Sequence, residues 1–444
     1  MKRILVTDAR IVNEGKIQNS DVLVANGRIE AIGGDLSRRD ADIRIEAAGR
    51  VLLPGMIDDQ VHFREPGLTR KGDISSESRA AVAGGITSFM EMPNTVPATT
   101  TGERLAEKFA VAAKSAFANY SFYLGGANDN IEEIERVDSA SVCGVKVFMG
   151  SSTGNLLVDD PAALEAIFSR SPVLVATHCE DDGIIAKNAA AFRERYGEAV
   201  PMRCHSRIRS AQACFASSSL AVDLARKHGT RLHVLHLTTA REMELFSPGP
   251  VEGKQITAEV CVHHLFFCDA DYERLGARIK CNPAIKTAAD RDALIDAVAD
   301  GRIDVIATDH APHTLGEKDV LYFQSPSGLP LVQHALVSLL EHVHQGRFSL
   351  ELIAERTAHA PARLFGIRDR GFIREGYWAD LVLVDPDRPW QVELEGILYK
   401  CGWSPFEGQT FRSSVDATIV SGHLAYFQGK VDPAPAGKRL EFDR

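Results

Sequence analysis

Eight short apolar runs, with helical stretches between many of them, divide the middle of this chain, and that alternation leaves few folds open. In order they are VLLPGMIDDQVHF, GITSFMEMPN, NYSFYLGG, GVKVFMG, VLVATHCE, RLHVLHLTT, ITAEVCVHHL and DVIATDHAPH. A run dominated by Val, Ile, Leu and Phe reads as a strand buried on both faces, and strands joined by helices form parallel βα units. Eight such units in succession close into a (β/α)8 TIM barrel. Helix starts are marked by Thr100-x-x-Glu103 before LAEKFAVAAKSAF and by Asp160-Pro161 before AALEAIFSR, and SAQACFASSSLAVDLARKHG stops at Gly229. No fixed-period repeat points to a solenoid.

The two ends of the chain have another texture. Up to about Val51, and again in ADLVLVD (379–385) and ATIVSGHLAYFQGKV (417–431), apolar and polar residues alternate, with Asn26-Gly27 placed as a hairpin turn. Residues 1–52 and 370–444 are therefore expected to form one small β-sandwich domain, and residues 53–369 the barrel.

The net charge of −10, with no basic stripe, disfavours nucleic acid and anionic membranes as partners and suits an enzyme of small molecules. Eight cysteines are scattered without CxxC pairs, as in a reduced cytoplasmic protein, and no apolar stretch is long enough to span a bilayer.

In a TIM barrel, an ionisable residue at the C-terminal end of a strand faces the active-site mouth. Here the runs end in or carry His62 and Arg64, Asn94, Lys146, His178, His236 and Asp309. One buried histidine is more often a satisfied core residue than a ligand. Three histidines, an aspartate and a lysine converging on one mouth are the donor set of a divalent metal, zinc by default. Lys146 would repel the cation unless burial keeps it neutral. A neutral amine takes up CO2 and becomes an anionic carbamate; the plainer alternative is a salt bridge at the barrel mouth. Asp309 is placed to move a proton between water and a leaving nitrogen. His263 and His264 on the seventh strand are expected to be one core and one lumen residue without a catalytic role, a supporting substrate contact being the alternative; packing roles are expected for Cys179 and Cys261, a contact from His310 to Asp309 or its loop, and structural roles for His205 and His233.

GMIDDQVHFREPG (55–67), EMPNT (91–95), GVKVFMG (144–150), THCED (177–181), VLHLT (234–238), NPAIK (282–286) and ATDHAPH (307–313) resemble the motifs of dihydroorotases within the amidohydrolase superfamily. The likeness runs on through GFIREGYWADLVLVD (371–385) and WSPFEG (403–408). It implies that a carboxylated Lys146 bridges two metals, one held by His178 and His236 and the other by His62 and Asp309. It further implies that Arg64, Asn94 and His313 bind a substrate carboxylate and that Asn282 contacts the pyrimidine ring. The substrate is then a small anionic dihydropyrimidine, interconverted with N-carbamoyl-L-aspartate in pyrimidine biosynthesis, and the assembly a homo-oligomer, dimer or tetramer. One position departs from the family's D-x-H-x-H: Gln60 stands where the first histidine is expected. A neutral amide oxygen is a weaker zinc ligand than imidazole, so one metal is expected to be firm and the second loosely bound or absent. Two other readings stay open: a hydantoinase- or allantoinase-like amidase of uncharged rings, and a weakly catalytic partner of another pyrimidine-pathway enzyme.

Overall fold

The computed structural model describes residues 2–150 and 156–444. All eight runs form parallel strands: β1 Met56–Val61, β2 Ile86–Glu91, β3 Asn119–Phe122, β4 Val145–Met149, β5 Val175–Cys179, β6 Leu232–Val234, β7 Ile256–Cys261 and β8 Val305–Ala307. The β1–β3 and β4–β8 groups join where Leu124–Gly125, just past β3, pairs with Val145–Lys146, and the ring closes through a parallel bridge between Val61 and His310. Every residue of β1, β2, β3 and β7 except Ile256 is buried, which is why these runs lack the polar alternation of a half-exposed strand.

The helices begin and end mostly where the sequence signals place them. Asp160 caps Pro161–Arg170, and Ala211–His228 ends at a left-handed Gly229. The helix Gly102–Ser115 starts one residue later than Thr100-x-x-Glu103 predicts, because the Thr101 hydroxyl accepts from Arg104 N at 3.3 Å. Two adjacent threonines offer similar caps, and the one whose oxygen meets a free N–H sets the start. β7 ends at Cys261, so His263 and His264 fall in the short helix Val262–Phe266 and not on the strand.

Strands from both chain ends share one nine-stranded sheet. Ile4–Asn13 forks it, pairing with Ile43–Glu46 along its first half and with Val51–Pro54 at Arg10 and Ile11. Leu381–Asp385 lies between Val51–Pro54 and Ser414–Val420. Its core of Ile4, Val6, Val22, Val24, Leu52, Leu383 and Ile419 is separate from the barrel's. Asn26 and Gly27, at φ +53° and +84°, make the predicted two-residue hairpin turn. The final residues then return to the barrel wall: Tyr120 N donates to Lys438 O and Leu440 N to Tyr120 O, both at 2.9 Å.

Candidate functional site at the barrel mouth

Gln60, His62, Arg64, Asn94, Phe148, His178, His236, Asn282, Asp309 and His313 line one cavity of about 210 Å3 at the C-terminal ends of the strands, room for a single small ring. It opens into an outer groove of about 1030 Å3 that shares Arg64, Asn94 and His313. Three of these residues hold left-handed backbone, Arg64 at φ +71°, His236 at +40° and Asp309 at +48°. Each such turn costs on the order of 1–3 kcal/mol in a residue with a Cβ, so the surroundings must enforce it. At His236 the enforcement is visible: its N–H donates to the buried carboxylate of Glu259 at 3.0 Å. Gly328 closes the opposite wall, where a Cβ would stand 2.4 Å from Ala311 O.

Lys146, in β4, is fully buried, and its Nζ has no hydrogen-bond partner among the described residues. Burial lowers its pKa to about 7, although Cys179, Asp309 and Glu259 pull the other way. The amine is therefore neutral for much of its time near neutrality, the form a carbamate requires.

His178 ends in a directed arrangement. Its Nε2–H donates to Glu180 at 3.0 Å, and Arg209 grips the same carboxylate through Nε and Nη2. Burial alone would raise the Glu180 pKa, but Arg209 and His178 hold it well below the usual range. With Nε2 committed, His178 Nδ1 turns its lone pair toward His236 Nε2, 3.0 Å away. That spacing is close to the roughly 3.3 Å between neighbouring ligands at 2.0–2.1 Å from one tetrahedral cation. Burial lowers the pKa of both imidazoles, as ligation needs.

The second pair is His62 and Asp309. His62 Nδ1 lies 2.7 Å from Asn94 Oδ1, and Nε2 lies 2.9 Å from Asp309 Oδ1. With Nδ1–H given to Asn94, a nitrogen lone pair and a carboxylate face each other, two electron donors that a cation or a proton must join. Gln60 turns its amide N–H, not its oxygen, to Asp309 Oδ1 at 3.2 Å. It acts there as a donor to the carboxylate.

Arg64 is buried and makes no ion pair among the described residues; its Nε donates to Pro312 O at 3.2 Å, and burial lowers its pKa to about 10, leaving it a cation at pH 7. Its Nη2 stands 3.1 Å from His313 Nε2. An unpaired guanidinium facing a cavity calls for an anion.

Below the mouth lies a polar network. His233 on β6 places Nε2 3.2 Å from Asp59 Oδ2 and 3.7 Å from Glu259 Oε2, while Nδ1 donates to Thr257 at 2.8 Å. Burial opposes a charge on His233, yet the two carboxylates lift its pKa to about 9. Its predicted structural role fits this cross-brace. His205 is likewise tied down, to Tyr322 and Cys281 O. His310 does not bind Asp309: its Nε2 contacts Glu77 at 2.8 Å and its Nδ1 accepts from Leu331 N. Burial raises the thiol pKa of Cys179 to about 11 and that of Cys261 further, as for packing residues. Asn282 presents a buried Oδ1 with no partner among the described residues, beside the cavity.

All ten residues singled out for the site thus gather at one mouth, with Lys146 in the barrel wall behind the lining. Sequence reasoning missed the Glu180–Arg209 clamp, the Asp59–His233–Glu259 network, Phe148, and Lys71 behind His313. Glu180 sits two residues past His178, a spacing that could have flagged it; Lys71, in a turn, carries no such signal.

A parallel barrel with imidazoles, a carboxylate and a buried lysine at its C-terminal mouth is the setting of a hydrolase site. The chain belongs to the amidohydrolase family, whose model matches residues 51–425. It is 34% identical to a dihydroorotase of Halobacterium salinarum over 91% of this chain and 92% of that one. It is also 34% identical to an allantoinase of Rubrobacter xylanophilus, over 98% and 96%. Among solved structures, the L-hydantoinase (dihydropyrimidinase) from Arthrobacter aurescens superposes with a TM-score of 0.94 at 27% identity, over 99% of this chain and all of that one. Among the described residues, no helix is long and apolar enough to cross a membrane.

Proposed function

We propose that the protein is a cyclic amide hydrolase that interconverts L-dihydroorotate and N-carbamoyl-L-aspartate in pyrimidine biosynthesis. The observation that carries this choice over an allantoinase- or hydantoinase-like activity is Arg64, a buried guanidinium without an anionic partner among the described residues. A neutral ring would leave it uncompensated, at a cost of about 1–3 kcal/mol or more, whereas a ring carboxylate pairs with it. Asn94 and His313 flank the same anion, and Asn282 Oδ1 meets a ring N–H.

His178, His236 and Lys146, the last as its CO2-derived carbamate, would hold one zinc; His62 and Asp309 would hold a second, weakened by Gln60. When bound, the metal supplies Lewis acidity that lowers the pKa of water and polarises the amide carbonyl. Asp309 takes the proton of the attacking water and returns it to the ring nitrogen as the amide bond breaks. Gln60 Nε2 orients that carboxylate. In the reverse direction two carboxylates and one proton become one carboxylate and water, so ring closure is favoured as pH falls. We further assign residues 1–52 and 370–444, apart from the last few that return to the barrel wall, to a β domain and 53–369 to the catalytic barrel, in a cytoplasmic homo-oligomer, dimer or tetramer.

The test is turnover of L-dihydroorotate against hydantoin and allantoin by the wild type and Arg64→Gln. The wild type is expected to prefer the acid, and Arg64→Gln to lose on the order of 100-fold in kcat/KM for it, equivalent to about 2.7 kcal/mol. Equal turnover of charged and neutral rings by the wild type would overturn the assignment.

A further inference from the structure

We propose that Lys71 is a positioning residue: it fixes His313 in the Nε2–H form and so keeps the Arg64 guanidinium free for the substrate carboxylate. This rests on the reading of Arg64 given above.

Lys71 Nζ lies 3.0 Å from His313 Nδ1. An ammonium has hydrogens to give and no lone pair to accept with, so Nδ1 must be the unprotonated nitrogen and the proton of the neutral ring sits on Nε2. Nε2–H then points at Ser327 O, 3.0 Å away. It also faces Arg64 Nη2 at 3.1 Å, and there two donors meet. They cannot bond each other, so Arg64 Nη2 keeps its hydrogens for an oxygen anion in the cavity. In the other tautomer, Nε2 would accept from Arg64 and tie up the hydrogens meant for substrate.

Glu317, which also pairs with Arg70 at 2.7 Å, gives Lys71 its place. Its Oε2 lies 4.0 Å from His313 Nδ1, and without a cation between them this carboxylate would draw a proton onto Nδ1. Lys71 sits in the gap, with Nζ 3.2 Å from Glu317 Oε1. The geometry is held from three sides. Leu68 N donates to Arg64 O and Lys71 N to Leu68 O, both at 3.0 Å, so Arg64 and Lys71 belong to one compact turn. Thr314, next to His313, caps the short helix that carries Glu317. Trp403, fully buried, donates from Nε1 to His313 O at 2.7 Å.

The tautomer is read by nitrogen NMR of the histidine rings in the metal-loaded wild type and in Lys71→Met, alongside KM and kcat for L-dihydroorotate. The expected result is an Nε2–H ring in the wild type, a shift toward Nδ1–H in Lys71→Met, a KM raised about ten-fold with kcat within about two-fold, and recovery of both readouts in Lys71→Arg. An Nδ1–H ring in the wild type overturns the proposal without any variant. So does a Lys71→Met protein that keeps the wild-type tautomer, or one whose KM does not move when the tautomer does. If the wild type fails to turn over L-dihydroorotate, the carboxylate reading falls, while the tautomer measurement still decides the role of Lys71.

Discussion

At the scale of single residues, the site is a set of side chains whose protonation is set by burial and by the charges around them. Lys146 shows this most simply. Burial brings its pKa to about 7, so the neutral amine that reacts with CO2 grows as pH rises through 7 and is lost below it. Carbamate formed on the metal-free protein from 13C-labelled bicarbonate, followed by NMR, is therefore expected to fall steeply below pH 7. Gln60 illustrates substitution in place. Its amide donates to Asp309 where an imidazole would offer a lone pair, so the wild type is expected to hold about one firm zinc. Gln60→His is expected to raise this to about two, measured as metal per chain after dialysis; unchanged stoichiometry would show that Gln60 does not limit the second site.

At the scale of elements, strand ends do most of the positioning. The polar residues closing β1, β5, β6 and β8 were legible because each interrupts an apolar run, and in a parallel barrel such an interruption has one place to point. What was not legible depends on contacts distant in sequence. His310 meets Glu77 from the first barrel helix, 233 positions away, and no local pattern announces that pair. Thr101 displaced Thr100 as a cap because both sequences read alike and only geometry separates them. Asp59 reads as an ordinary filler between Asp58 and Gln60, yet it meets His233 from the far side of the barrel. The last residues form a further element that composition did not reveal, pairing with β3 through Tyr120 and burying Leu440 fully. Leu440→Ala is expected to cost about 2–5 kcal/mol, seen as a lower midpoint in urea unfolding, with the metal-site geometry unchanged.

At the scale of the whole molecule, the barrel and the sheet built from both chain ends divide the work. The strands supply the candidate metal ligands, while loops and the returning C-terminal region shape the anion slot: Trp403, more than 300 residues after Arg64 in sequence, anchors the backbone of His313 beside it. The overall architecture was readable from periodicity because eight buried strands and an alternating sheet have different apolar patterns. The choice among cyclic amides was not, since dihydroorotase, allantoinase and hydantoinase relatives all match along nearly the whole chain. We propose that the choice lies in the Arg64 guanidinium, which makes no ion pair among the described residues. The most direct measurement is thus kcat/KM of the zinc-loaded wild type for L-dihydroorotate and for dihydrouracil, the same ring without the carboxylate. A preference for the acid of on the order of 100-fold or more, lost in Arg64→Gln, is what an unpaired guanidinium predicts; equal rates on the two rings, or a preference that survives the loss of Arg64, would contradict it.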